Sequence, residues 1–331
     1  MNEQTEMMME NIRQFAESNI SSISLKIERE GIPDDLYAKI IQQGLIGATL
    51  PPELGGAGLD RNSYDAILFQ LARISPSVAF HVFMNNSLIL RSLEKAGRMD
   101  IISEIISGKE RYGIAPGPLM EGGEDGEGSL IIEPGSRNIV IGRNGGKVTV
   151  LTGMPRLLDK KPLGLRGLKT DIAILEDNGE QILSREDMEA IWEDGSWHSA
   201  AIFLGLAEGA LEKAIEYTKV RKTFNFSLKD YEPVAFRMSE LKSELEIFKN
   251  TLFSDVEDSL TGMMLKTLSA EFSRRATKYA LQFHGGYGYL EDFGVEKFYR
   301  DAVSLNSIMF RPITDKRVLA AKIYGEKSGF L

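Results

Sequence analysis

Hydrophobic and polar positions follow three regimes along the 331-residue chain. From residue 1 to about 111, apolar side chains recur every three or four positions: Ile12, Phe15, Ile20 and Ile23, then Leu36, Ile40 and Ile41, then Ile67, Leu68 and Leu71. That is the period of helices with one buried face. Pro33 followed by Asp34 and Asp35 opens one of them and Gly44 stops it. The next stretch, Gly44 to Asp60, holds two prolines and five glycines and reads as an interhelical loop. Between 112 and 190 the helical period gives way to short β-branched runs at Leu130–Ile132, Ile139–Ile141, Val148–Leu151 and Ile172–Leu175. Asn144-Gly145-Gly146 between two of these predicts a tight hairpin, whose corner needs positive φ. The acidic, glycine-rich run Glu121–Gly128 predicts a solvated loop.

From Trp192 onward the helical period returns in three stripes: Phe203, Leu206, Ala207, Ala210, Leu211 and Ala214; Leu241, Leu245, Phe248 and Leu252; Leu265, Leu268, Phe272, Tyr279 and Phe283. With a last helix from about Asp315 to Tyr324 they predict an antiparallel four-helix bundle. The expectation is an α+β chain, mainly α: a helical N-terminal domain (1–111), a small β domain (112–190) and a C-terminal bundle (191–331).

Composition narrows the chemistry. A net charge of −9 and no basic cluster argue against a nucleic-acid surface. No apolar run approaches the roughly 18 residues of a membrane span, and the start MNEQTEMMME lacks the order of a signal peptide, so a cytoplasmic protein without membrane insertion is expected. The absence of cysteine removes disulfides and thiol nucleophiles. His81, His198 and His284 are too scattered to suggest a metal ligand set, and His81, beside Phe80 and Phe83, reads as a packed core or surface residue rather than a catalyst.

The stretch with the most chemistry is Gln282–Asp301, QFHGGYGYLEDFGVEKFYRD. A glycine-rich bend after a helix lets backbone approach a bulky anion, because glycine has no Cβ and tolerates positive φ. The spacing Gln282, Gly285, Gly286, Gly288, Tyr289, Asp292, Lys297, Asp301 resembles the C-terminal signature of the acyl-CoA dehydrogenase family. The N-terminal third resembles it too, in Leu45, Pro52, Glu53, Gly55, Gly56 and Gly58 and on through Gly108, as do Asn144–Gly153 and Gly164–Asp177 in the middle. The segment YTKVRKTFNFSLKDYE is similar to the family's Arg-x-x-Phe-Gly stretch, with Arg221 and Phe224 in place and Asn225, Ser227 and Glu232 where the family has Gly, Pro and Gln.

That resemblance implies FAD as cofactor. Arg221 would meet its pyrophosphate through a two-pronged guanidinium, Phe224 would pack near the adenosine, and Gln282, Gly285 and Gly286 would approach it. It also implies a homodimer or homotetramer whose flavin site is shared between subunits, an acyl-CoA or related thioester as substrate, and electron-transfer flavoprotein as partner. The implied reaction is α,β-dehydrogenation, in which a glutamate removes the α proton. Two departures stand out. The middle domain is short and lacks the family's Thr-Glu-Pro, Gly-Ser-Asp and Trp. The usual base position after Arg300-Asp301-Ala302 falls on Met309 or Phe310, neither of which takes a proton. A minority of the family keeps the base on the bundle's first helix, at about Gly195 here, which nominates Glu193 and Asp194. The same residues fit two other readings, a catalytically silent flavin- or CoA-binding paralogue serving as a structural or regulatory subunit, and a flavin monooxygenase or nitroalkane-oxidase-like branch.

Overall fold

Helices make both ends of the chain and one sheet lies between them, in a computed structural model that describes residues 3–116, 129–142, 147–175, 180–308 and 312–325. The N-terminal part comprises α1 (Glu3–Asn19), α2 (Ser24–Glu30), α3 (Asp34–Gln42), α4 (Arg61–Ile74) and α5 (Pro76–Phe83). α5 continues through a π-helical stretch, Met84–Leu90, into α6 (Arg91–Lys95), and α7 (Met99–Ile106) closes the region. Asp34 opens α3 behind Pro33, and Gly44, at φ +69°, turns the chain after it. Asp60 caps α4 by accepting from the Ser63 N–H at 2.7 Å. Ile12, Ile20, Leu36, Ile40, Ile67, Leu68 and Leu71 are buried; Phe15, Ile23 and Ile41 pack against them from the rim.

The middle region is a seven-stranded sheet in the order β5-β6-β2-β1-β3-β4-β7, antiparallel except where β1 (Tyr112–Pro116) runs parallel to β3 (Arg137–Gly142). With β3, the anticipated strands are β2 (Ser129–Ile132), β4 (Lys147–Thr152) and β6 (Thr170–Ile174), whereas β1 is not among them; β5 (Arg156–Leu157) and β7 (Glu180–Leu183) edge the sheet. Alternation splits its side chains. Ile114, Ile132, Ile139 and Val150 join the main core with the helices, whereas Ala115, Ile131, Val140, Leu151 and Ala173 form a second cluster. β3 and β4 pair antiparallel with Ile141 opposite Val148; Asn144–Gly146 and Glu121–Gly128 lie outside the described residues.

The C-terminal part is α8 (Arg185–Val220), a hairpin of β8 (Lys222–Thr223) and β9 (Phe226–Ser227), then α9 (Glu232–Leu252), α10 (Ser259–His284), α11 (Glu296–Ile308) and α12 (Pro312–Tyr324). α8 begins six residues before the 190/191 boundary read from the sequence. Ser184 accepts from the Asp187 N–H and the Asp187 carboxylate returns to Ser184, a capping box that starts the helix in a charged turn without an apolar stripe. The stripe on α8 is wholly buried, as are Leu241, Leu245, Leu252, Leu265 and Phe272. Leu268 is not: it is 51% exposed, because the buried face of α10 runs through Leu265, Ser269, Phe272, Ala276 and Ala280 and leaves Leu268 off it.

Candidate functional site

The glycine bend after α10 and the end of α8 meet. Tyr217, Arg221, Leu228, Gln282, His284, Gly285, Gly286 and Tyr287 line one open cleft of about 520 Å³. Gly285 ends α10 at φ +55°, a conformation that a side chain resists. No atom lies within 4 Å of where a Cβ would sit on Gly285 or Gly286, so the backbone there faces open space. Arg221 stands at the C-terminus of α8, its guanidinium carbon 5.4 Å from the Tyr287 ring centre and with no carboxylate partner among the described residues. An unpaired guanidinium beside exposed backbone is a setting for an anion, and these residues fit a diphosphate. His284 stacks on Tyr217 with ring centres 4.3 Å apart, donates from Nδ1 to the Ala280 carbonyl at 2.8 Å, and is pulled below the usual histidine range by burial.

Of the other anticipated cofactor residues, Phe224 lies at the tip of the β8–β9 hairpin at φ +48° and is 87% exposed, outside the cleft wall. Glu232 opens α9 and does not line the cleft.

The base candidates lie elsewhere. Glu193, Asp194 and Gly195 border a second cavity, of about 340 Å³, with Thr49, Ser87, Arg61, Trp197 and His198. The carboxylate of Glu193 is held by Lys322 of α12 at 3.1 Å, Asp194 is exposed, and Gly195 is buried near Phe83. Met309 and Phe310 lie outside the described residues. What sequence reading missed is His198, whose Nδ1 sits 2.6 Å from the buried Asp65 carboxylate of α4. The partners are 133 positions apart, and no local spacing announces them.

The end of the signature holds domains together instead of facing a ligand. Asp301, fully buried, accepts from the Leu165 N–H at 2.6 Å in the loop before β6, while Lys297, one turn earlier on α11, donates to the Ile74 carbonyl at the end of α4 at 3.0 Å. Gly164 packs so closely that a Cβ would lie 2.4 Å from the Arg300 carbonyl oxygen. Burial first, and then the charge of Glu28, push the Asp301 carboxyl up to about 7, while burial pulls the Lys297 ammonium down. An unfolded aspartate titrates near about 3.9. Between those values the native state binds the extra proton, so this contribution to stability is complete below the lower value and is lost as pH rises through the upper one. Asp301→Asn is expected to flatten that decline: urea midpoints at about pH 5 and pH 8 differ less in the variant than in the parent. Parallel profiles would refute the assignment.

Among the described residues no helix is long and apolar enough to cross a membrane. Compared with known proteins, residues 2–107 match the family model for the acyl-CoA dehydrogenase N-terminal domain and residues 193–308 that for the C-terminal domain. The CarC subunit of the caffeyl-CoA reductase–Etf complex of Acetobacterium woodii is 27% identical, over 90% of this chain and 92% of that protein. The 3-(aryl)acrylate reductase of Clostridium sporogenes is 25% identical, over 90% and 93%. A glutaryl-CoA dehydrogenase of Mycobacterium smegmatis, solved in complex with FADH2, superposes with a TM-score of 0.86 at 14% identity, covering 100% of this chain and 97% of that one. With both helical domains matched and the whole architecture shared, this chain belongs to the acyl-CoA dehydrogenase family, a family of FAD-dependent oxidoreductases.

Proposed function

We propose that the protein is an FAD-dependent dehydrogenase that removes hydrogen from the α and β carbons of an acyl-CoA or similar thioester. The observation that carries this reading is the cleft in which Arg221, with no counter-charge among the described residues, stands beside the open backbone of Gly285 and Gly286. Arg221 would hold the diphosphate of FAD, Gly285 and Gly286 would admit it to the backbone, and Gln282 would supply an amide. Bound there, FAD supplies the hydride acceptor for the β carbon. Tyr289, Phe224, Phe226 and Leu290 stand exposed around the bend and the hairpin, a setting for a second copy of the chain to share the cofactor in a homodimer or homotetramer. Electrons would pass on to an electron-transfer flavoprotein, the kind of partner named in the complex of the Acetobacterium woodii relative.

The test is an absorption spectrum of the purified protein with excess FAD, before and after anaerobic addition of mixed acyl-CoAs. A flavin spectrum that bleaches is expected. A protein that takes up no flavin would end the oxidoreductase reading in favour of a structural or regulatory subunit, a role favoured by the engagement of Glu193 with Lys322. Bound flavin that acyl-CoA does not bleach without oxygen would place the chain in the monooxygenase or nitroalkane-oxidase-like branch.

A further inference from the structure

We propose that His198, oriented by Asp65, is the proton acceptor of this site, with the acyl thioester entering the cavity of about 340 Å³ that the imidazole lines. The inference rests on the thioester reading above and names the group that neither Met309, Phe310 nor a free glutamate supplies.

The geometry is that of a base with one ring nitrogen committed. Asp65 is fully buried and also accepts from Arg61 Nη1 at 3.3 Å, so its carboxylate offers acceptors only and His198 Nδ1 must be the donor. The lone pair is therefore on Nε2, for which there is no partner among the described residues. Tyr64 meets the ring edge-on at 4.7 Å and fixes its plane. The His198 side chain is 16% exposed, so it is enclosed but reachable. Arg61 cannot swing away, because it also donates to the carbonyls of Leu252 and Ser254 and lies 4.1 Å over the Trp197 ring.

The protein contains a second pair of this kind, and it lacks the free nitrogen. His81 Nδ1 meets Glu133 at 2.6 Å, but its Nε2 lies 3.4 Å from the Asn85 amide, and neither residue lines a cavity described above. Glu193 is tied to Lys322, and Asp194 is a solvated acid with no positioning contact among the described residues. The charged groups that line this cavity with His198 are Arg61 from α4, Glu193 and Asp194 from α8, Arg91 from α6 and Glu257 before α10, while Asp65 lies against the ring at Nδ1.

In the step, the C–H bond α to the thioester carbonyl breaks, its proton forms a bond to Nε2, and the electron pair moves onto the carbonyl as an enolate. The imidazolium so formed is stabilised by the Asp65 carboxylate, which keeps its own charge. Return of a solvent-exchanged proton reverses the step with no net oxidation, so it can be read apart from hydride transfer.

The experiment uses the purified full chain with FAD in excess, and phenylacetyl-CoA, which has acidic α hydrogens and no β C–H to oxidise. Deuterium uptake at the α carbon from D2O is followed by mass spectrometry. The parent protein is expected to catalyse exchange. His198→Gln and His198→Asn are expected to lower the exchange kcat about 100-fold or more with KM unchanged. Asp65→Asn, as a positioning variant, is expected to lower the exchange kcat about 10-fold with KM unchanged. Exchange at the parental rate in either His198 variant, or no exchange by the parent, would overturn the proposal. Loss of exchange in Glu193→Gln or Asp194→Asn, with His198→Gln unaffected, would transfer the role to that carboxylate. His198-dependent exchange by a protein that binds no flavin would sink the dehydrogenase reading and keep the base; bleaching by acyl-CoA in His198→Gln would do the reverse.

Discussion

Gly209→Ala is expected to destabilise the protein by about 2 kcal/mol, although alanine is the better helix former by about 1 kcal/mol. A methyl at Gly209 would lie 2.0 Å from the Arg73 carbonyl oxygen and 3.0 Å from the Phe298 ring; one at Gly205 would lie 2.2 Å from the Phe69 carbonyl oxygen. Both obstacles on α4 are backbone, so relief requires moving a helix, and overpacking of this kind costs about 1–3 kcal/mol or more. Packing therefore outweighs propensity at these two positions. The double variant is expected to lose less than the sum, since the first substitution already parts α8 from α4. Gly195→Ala is the control on the same helix. Its methyl would meet nothing nearer than the Phe83 ring at 3.8 Å, so propensity governs and stability should rise by up to about 1 kcal/mol. Denaturant midpoints measure all three, and a Gly209→Ala protein as stable as its parent would contradict the helix contact.

Arg221→Gln is expected to weaken FAD binding about 10- to 100-fold, the loss of a hydrogen-bonded charge worth roughly 1.5–3 kcal/mol. Arg221→Lys should fall between, because an ammonium restores the charge without the two-pronged geometry. Folding should be unaffected: the side chain is exposed and its nearest described contact is the Tyr287 ring. The measurement is quenching of flavin fluorescence on titration, at low and high salt, beside a thermal melt. The parent's affinity should fall with salt and that of Arg221→Gln should fall less. Equal affinities in parent and variant would remove the anion role from this cleft.

What the sequence determined by itself was whatever depends on neighbours within a few positions. The α8 stripe from Phe203 to Ala214, the opening at Pro33 and four of the strands follow from a repeat of 3.6 or 2 and from turn chemistry, both encoded locally. Motif spacing within one segment is legible in the same way, and it sets Gln282, Gly285 and Gly286 at the end of one helix and the bend that follows it. Local pattern failed where burial is set by distant partners. Leu268 fits a stripe yet faces outward, and the start of α8 was hidden because a capping box carries no apolar period. Only the tertiary structure decided that Arg221 and the glycine bend, about sixty residues apart, border one cleft, that Lys297 and Asp301 lock α4 and the sheet onto the bundle, and that Asp65 of α4 reaches His198 of α8. A hydrogen bond needs its partners within about 3 Å, a condition that folding meets and residue order does not record.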